Sequence, residues 1–158
     1  VFTKCYGMEC IGLRYFNIFG PRQDPNGAYA AVIPKFINSM RREESPLIHG
    51  DGLFSRDFTY VDNAVQANLL GLTTNNIECF GTAMNIGAGG QYTLNEVVNV
   101  INDELNLRIF PMYGPNRPGD IPHSFADISK ARHILNYNPT VSFKVGMSRL
   151  IHNENRAV

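Results

Sequence analysis

The chain has 158 residues, enough for one domain, and 44% of them are hydrophobic, enough for a sizeable core. Its 14 basic and 14 acidic residues cancel and no Lys/Arg run exceeds Arg41-Arg42, which excludes the electrostatic footprint of a nucleic-acid or anionic-membrane binder. Three cysteines (Cys5, Cys10 and Cys79) without C-x-x-C spacing exclude a disulfide framework and a zinc knuckle; no apolar run reaches transmembrane length, and a reducing cytoplasm is the expected location.

In chain order, Ile11 to Phe16 reads as a buried strand running into an irregular loop, Asn17 to Gly27, that displays Asn17, Arg22 and Gln23. Ala28 to Arg42 reads as a helix, with Val32, Ile33, Phe36, Ile37 and Met40 at the three- and four-residue steps of one buried face. Leu47 to His49 is a short strand ended by the turn Gly50-Asp51-Gly52. Phe58 to Val61 is a second strand with Arg56 just before it, and Asp62 is placed to cap the helix that follows. Ala83 to Ile86 is a third strand. Thr93-Leu94-Asn95-Glu96 has the pattern of a capping box opening a helix to Leu105. Arg108 to Tyr113 is a further strand candidate, Pro115 to Pro122 a loop, and Ile128 to Leu135 and Val145 to Asn153 are helices. Short strands alternating with helices give an α/β unit.

Two motifs invite a cofactor reading and fail. Gly87-Ala88-Gly89-Gly90 follows a strand, but Tyr92 stands at the third-glycine position of G-x-G-x-x-G and the next strand candidate supplies no ribose-binding acid, so the segment reads as a tight turn. The residues four after each tyrosine are Cys10, Phe19, Ile33, Ala64, Glu96, Arg117 and Val141, so no Tyr-x-x-x-Lys pair exists. His49 and His123 have neither HExxH spacing nor a cysteine companion, which leaves no metal site to propose.

What persuades is dispersed: Arg14-Tyr15-Phe16-Asn17, Ala30-Ala31-Val32-Ile33-Pro34, Ile48-His49-Gly50-Asp51-Gly52, Ser55-Arg56-Asp57-Phe58, and Arg117-Pro118-Gly119-Asp120 with Ser124 and Ala126-Asp127. In this order and with these gaps the chain resembles, over nearly its whole length, the substrate half of nucleotide-sugar epimerases and dehydratases of the extended short-chain dehydrogenase/reductase family. The similarity is closest to UDP-N-acetylglucosamine 4-epimerases. The resemblance implies the C-terminal part of an NAD(P)-binding Rossmann-fold epimerase: the last Rossmann strands plus the small α/β substrate-binding domain, residues 1–158 being a fragment. The opening valine agrees with that expectation, which places the NAD glycine loop and the Tyr-x-x-x-Lys pair upstream.

The resemblance also implies roles. Arg56 and Arg117 take the diphosphate, to which guanidinium donates forked, charge-assisted hydrogen bonds. Asn17 adds an amide donor, Ala31 and Val32 lie against the nucleotide, Ile48 and Gly50 surround the uracil, and Asp120 binds the ribose hydroxyls. A small Ser124 leaves room for an N-acetyl group. Tyr15 and Phe16 lie on the nicotinamide side. The residues alone leave plainer readings open: Arg56 pairing with Asp57, Arg117 with Asp120, Asn17 and Ser124 as ordinary loop residues. The implied activity is NAD-dependent inversion at C4 of UDP-N-acetylglucosamine or UDP-glucose through a 4-keto sugar, with a homodimer as the full-length assembly. The alternatives are a dehydratase, decarboxylase or uronate 4-epimerase, or a non-catalytic nucleotide-sugar binding module.

Overall fold

A computed structural model of the chain describes residues 1–24 and 32–153. Its elements are α1 (Phe2–Tyr6), β1 (Ile11–Tyr15), β2 (Ile18–Phe19), α2 (Val32–Arg41), β3 (Leu47–His49), β4 (Ser55–Arg56), β5 (Thr59–Tyr60), α3 (Val61–Thr73), β6 (Thr82–Ile86), β7 (Tyr92–Thr93), α4 (Leu94–Leu105), β8 (Met112–Gly114), β9 (His123–Ser124), α5 (Ser129–Leu135) and α6 (Phe143–Asn153), with a 3-10 turn at Ile77–Cys79. The strands form small groups: parallel pairs β1-β6, β2-β5 and β3-β8, and a three-stranded sheet β7-β4-β9. This is a mixed α/β fold.

Burial divides into two clusters. The larger gathers Ile33, Phe36, Ile37 and Met40 of α2 with Ile48, with Val97, Val98 and Ile101 of α4, and with Met147, Leu150 and Ile151 of α6. Phe143, at the start of α6, contacts the rings of Phe19, Phe58 and Tyr92 at centroid distances of 5.7, 5.7 and 4.2 Å. Gly146, one turn on, lets α6 sit directly on β5 and β2: a Cβ there would lie 2.8 Å from Tyr60 Cβ and 2.9 Å from Phe19 Cζ. The second cluster holds Met84 and Ile86 of β6 against Ala131, Ile134 and Leu135 of α5, with Tyr137 and Cys79.

Several sequence expectations shift. Residues 28–31 of the expected first long helix lie outside the described residues; from Val32 on, the apolar stripe packs as its spacing requires. β1 is half exposed rather than buried, because only β6 pairs with it among the described residues. Asp62 is not the cap of α3: Tyr60 is the last extended residue, and Asp62 falls in the first turn, where its charge suits the helix N-terminus and accepts from Arg149 Nη1 at 3.0 Å. The strand expected over residues 108–113 begins only at Met112. Asn102 bonds both backbone groups of Ile109 at 2.9 Å, and Pro111 has no N–H to give, so pairing with β3 starts beyond it. β4 and β9 each span two residues, too few for alternation to betray them. The Thr93 capping box forms as its pattern predicts, with Thr93 N donating to Glu96 Oε2 at 2.7 Å and Glu96 N to Thr93 Oγ1 at 3.2 Å.

Asn63 joins α3 to the segment before α6. Fully buried, it donates to the Val141 carbonyl at 2.8 Å and accepts from the amides of Thr140 and Val141, both at 3.0 Å. Asn63→Ala strands three backbone groups, the N–H and carbonyl of Val141 being buried, and is expected to cost about 2–4 kcal/mol of unfolding free energy in urea titrations. Thr93→Ala, which removes one exposed cap, is expected to cost about 1 kcal/mol. Equal costs would mean that Asn63 is not the tie its geometry describes.

Candidate functional site

A cavity of about 610 Å³ lies against α2. Val32, Lys35, Ser39 and Arg42 recur along one side of the helix and form that wall, which is about 15 Å long for ten residues. β3 contributes Leu47, Ile48 and His49 to the lining, Ile48 also belonging to the larger core cluster. The inner end is closed by Asn17, Phe19, Arg56 and Phe58, and the rim carries Arg117 and Asp120. Among the described residues the lining thus holds four cationic side chains, Lys35, Arg42, Arg56 and Arg117, and one acid, Asp120.

Local structure explains why each group stands where it does. Asn17 leaves β1 with φ 33°, a left-handed conformation that asparagine tolerates, and its carbonyl accepts from Thr59 N at 3.2 Å, which ties it to β5. Arg56 is not paired with Asp57. Its Nη1 donates to the carbonyls of Ser55 (2.9 Å) and Pro122 (3.2 Å), so the guanidinium is held by neutral oxygens and keeps its charge uncompensated. Arg117 and Asp120 are joined through the backbone, Asp120 N donating to Arg117 O at 3.3 Å; no side-chain ion pair between them occurs among the described residues.

Of the residues singled out from sequence, Asn17, Val32, Ile48, Arg56, Arg117 and Asp120 line this cavity. Ala31 lies outside the described residues. Gly50 lies off the wall and has a structural reason to be glycine: φ is 87°, and a Cβ would run into Asn116 Oδ1. Ser124 is also off the wall, opposite Arg56 in the β4-β9 register, with its carbonyl accepting from Asp57 N at 3.0 Å. Tyr15, 45% exposed at the end of β1, donates from its hydroxyl to Asn68 Oδ1 at 3.0 Å; Phe16 packs on the second core cluster. Leu47 and His49, which flank Ile48 in β3, line the cavity too; Leu47 was missed, and His49 was given no assigned role beyond a possible contact with ligand.

Asp57 was missed as well, and it decides the glycine turn. Its carboxylate has no solvent exposure and accepts from Ala88 N (2.9 Å), Gly89 N (3.1 Å) and Thr59 Oγ1 (3.2 Å). Gly87 must be glycine, because a Cβ would lie 2.6 Å from Asp57 Oδ2. The amides that a phosphate would need in a dinucleotide fingerprint are therefore occupied from within. Loss of hydration raises the Asp57 pKa above the ordinary carboxylate value, against the lowering effect of those hydrogen bonds. Tyr137 completes the knot by donating to the Gly87 carbonyl at 2.9 Å; burial, and next the Asp57 charge, raise its phenol pKa.

A raised carboxylate pKa fixes the sign of a pH effect. As pH climbs through the unfolded value of about 4, the unfolded chain releases this proton before the folded one does, so the Asp57 contribution to stability falls until the folded pKa is passed. The difference in unfolding free energy, wild type minus Asp57→Asn, is expected to decrease with pH over that window. A difference that rises with pH would contradict the desolvated state of Asp57.

The fold and site define an α/β unit with a partly apolar cleft whose lining carries Lys35, Arg42, Arg56, Arg117 and Asp120. The chain belongs to the NAD-dependent epimerase/dehydratase family, whose sequence profile matches residues 1–87. It is 37% identical, over 99% of its length, to a putative UDP-glucose 4-epimerase of Methanocaldococcus jannaschii, of which it covers 50%. A UDP-N-acetyl-α-D-glucosaminuronate decarboxylase of Bacillus cytotoxicus is 32% identical over 94% of this chain and 49% of its own. The UDP-N-acetylglucosamine 4-epimerase of Methanobrevibacter ruminantium, solved with UDP-N-acetylmuramic acid, superposes with a TM-score of 0.87 and 41% identity, covering 95% of this chain and 47% of that one. The chain spans about half the length of these relatives. The family is NAD-dependent, but the described residues do not form a pyrophosphate cradle, since the one glycine turn that follows a longer strand is filled by Asp57.

Proposed function

We propose that this chain is the sugar-nucleotide-holding half of an NAD-dependent UDP-hexose 4-epimerase acting on UDP-N-acetylglucosamine or UDP-glucose. The observation that carries the proposal is the cavity itself: about 610 Å³, lined by apolar side chains such as Phe36, Leu47 and Ile48, and furnished with two arginines, Arg56 and Arg117, that no carboxylate neutralises among the described residues. Such guanidinium groups suit the diphosphate, Asp120 on the same rim suits the ribose diol, and the apolar wall suits the flat base. Asn17 adds a neutral donor at the inner end, with Ala31 and Val32 assigned to the nucleotide and Ile48 and Gly50 to the uracil surroundings. Ser124 is assigned to the hexose pocket and Tyr15 and Phe16 to the cofactor side.

NAD, held by the complete enzyme, would supply the hydride chemistry at C4. What these residues contribute is grip: a firm hold on the diphosphate allows the hexose to turn over between the two transfers without leaving. A second reading, a decarboxylase or uronate 4-epimerase on the same scaffold, is favoured by the relative of that type; incubation of the complete enzyme with UDP-N-acetylglucosamine, UDP-glucose and UDP-glucuronate separates the two. Consumption of UDP-glucuronate alone would sink the preferred substrate.

Two outcomes are expected. Arg117→Ala in the complete enzyme weakens UDP-sugar binding by about 10- to 100-fold and leaves the NAD content unchanged, as read by calorimetry and cofactor absorbance. The 158-residue chain, which has no Tyr-x-x-x-Lys pair, shows no turnover of UDP-N-acetylglucosamine in a coupled assay; detectable epimerisation would contradict the division of labour proposed here.

A further inference from the structure

The backbone that orients Arg56 is a two-residue parallel pair. Ser55 N donates to the Pro122 carbonyl at 2.9 Å and Asp57 N to the Ser124 carbonyl at 3.0 Å, which is little for β4 and β9 to hold by. At their centre lies Ser55, 3% exposed. Gln91 Nε2, which can only donate, bonds to Ser55 Oγ at 2.8 Å, and His123 Nδ1 lies 2.7 Å from the same oxygen. With Gln91 already donating to it, the buried hydroxyl keeps its own proton satisfied by donating to an unprotonated Nδ1, which assigns the His123 proton to Nε2. The pair is not a nucleophilic dyad: the serine is enclosed, and its oxygen is engaged on both sides. Its consequence is mechanical. Pro122, adjacent to His123, presents the carbonyl that accepts from Arg56 Nη1, and the chain leading into it is the turn bearing Arg117 and Asp120.

We propose that His123 is a positioning residue for the diphosphate clamp: by accepting from Ser55 it fixes the Pro122 carbonyl, and through it the Arg56 guanidinium and the Arg117 turn. The proposal rests on the reading of the cavity as a UDP-sugar site. The 158-residue chain is titrated by NMR with UDP and with uridine, which shares the base and ribose and lacks the phosphates. His123→Ala is expected to weaken UDP about three- to tenfold and to move uridine less than about twofold. His123→Asn, whose Oδ1 replaces the Nδ1 acceptor, is expected to restore most of the UDP affinity. Ser55→Ala, which removes the donor, is expected to reproduce the selective loss and serves where His123→Ala does not fold. Equal weakening of both ligands, no weakening of UDP, or an asparagine variant no better than alanine would each overturn the assignment. Failure of the wild-type chain to bind UDP would overturn the reading of the cavity itself, and this inference with it.

Discussion

A buried carboxylate inside a glycine turn holds the two parts of this structure together. Asp57 sits between β4 and β5, flanked in sequence by Arg56 and Phe58 of the cavity lining, while the amides it captures belong to Ala88 and Gly89 just beyond β6. The larger core cluster lies on one side of that contact and the β1-β6 cluster on the other. An anion removed from water needs donors in fixed positions, and a glycine turn supplies them only if no side chain intrudes; Gly87 and Asp57 are therefore a single constraint. The turn has the local chemistry of an anion nest, and the anion is part of the chain.

From that fixed point the arrangement of the cavity follows. Asp57 being committed to the turn, Arg56 next to it has no acidic neighbour to collapse onto and is held open by the carbonyls of Ser55 and Pro122. Thr59, which also bonds Asp57, anchors Asn17 through its amide. A charged group can be kept available without being paired when neutral acceptors orient it and solvent reaches its outer side.

The helices were the legible part of the fold, because α2 and α4 span enough residues for periodicity and capping to register. Two-residue strands carry no such signal, and β4, β7 and β9 exist only through partners 30 to 70 residues away. The same distance hid Asp57: next to Arg56 in sequence it reads as half of a surface ion pair, and only the fold brings Ala88 and Gly89 to it. Asn63 likewise gives no local hint of its partners at Thr140 and Val141. In the cavity, Arg56, Arg117 and Asp120 stood out through the resemblance of their motifs, the residues alone reading equally as surface ion pairs, whereas an apolar Leu47 in a three-residue strand carries no signal of its own.

The chain carries no net charge, yet the walls of its cavity do. With Arg42 paired to Glu44, the three cations Lys35, Arg56 and Arg117 and the one acid Asp120 in a partly apolar cleft give a positive potential that is local and fades within about a Debye length, roughly 8 Å at physiological ionic strength. A small dianion passing the mouth is drawn in, while a long polyanion finds no extended surface of the same sign to follow. For the phosphorylated ligand proposed above, added salt would then slow capture more than it hastens escape, because the field acts on approach whereas short contacts in the cleft are screened less.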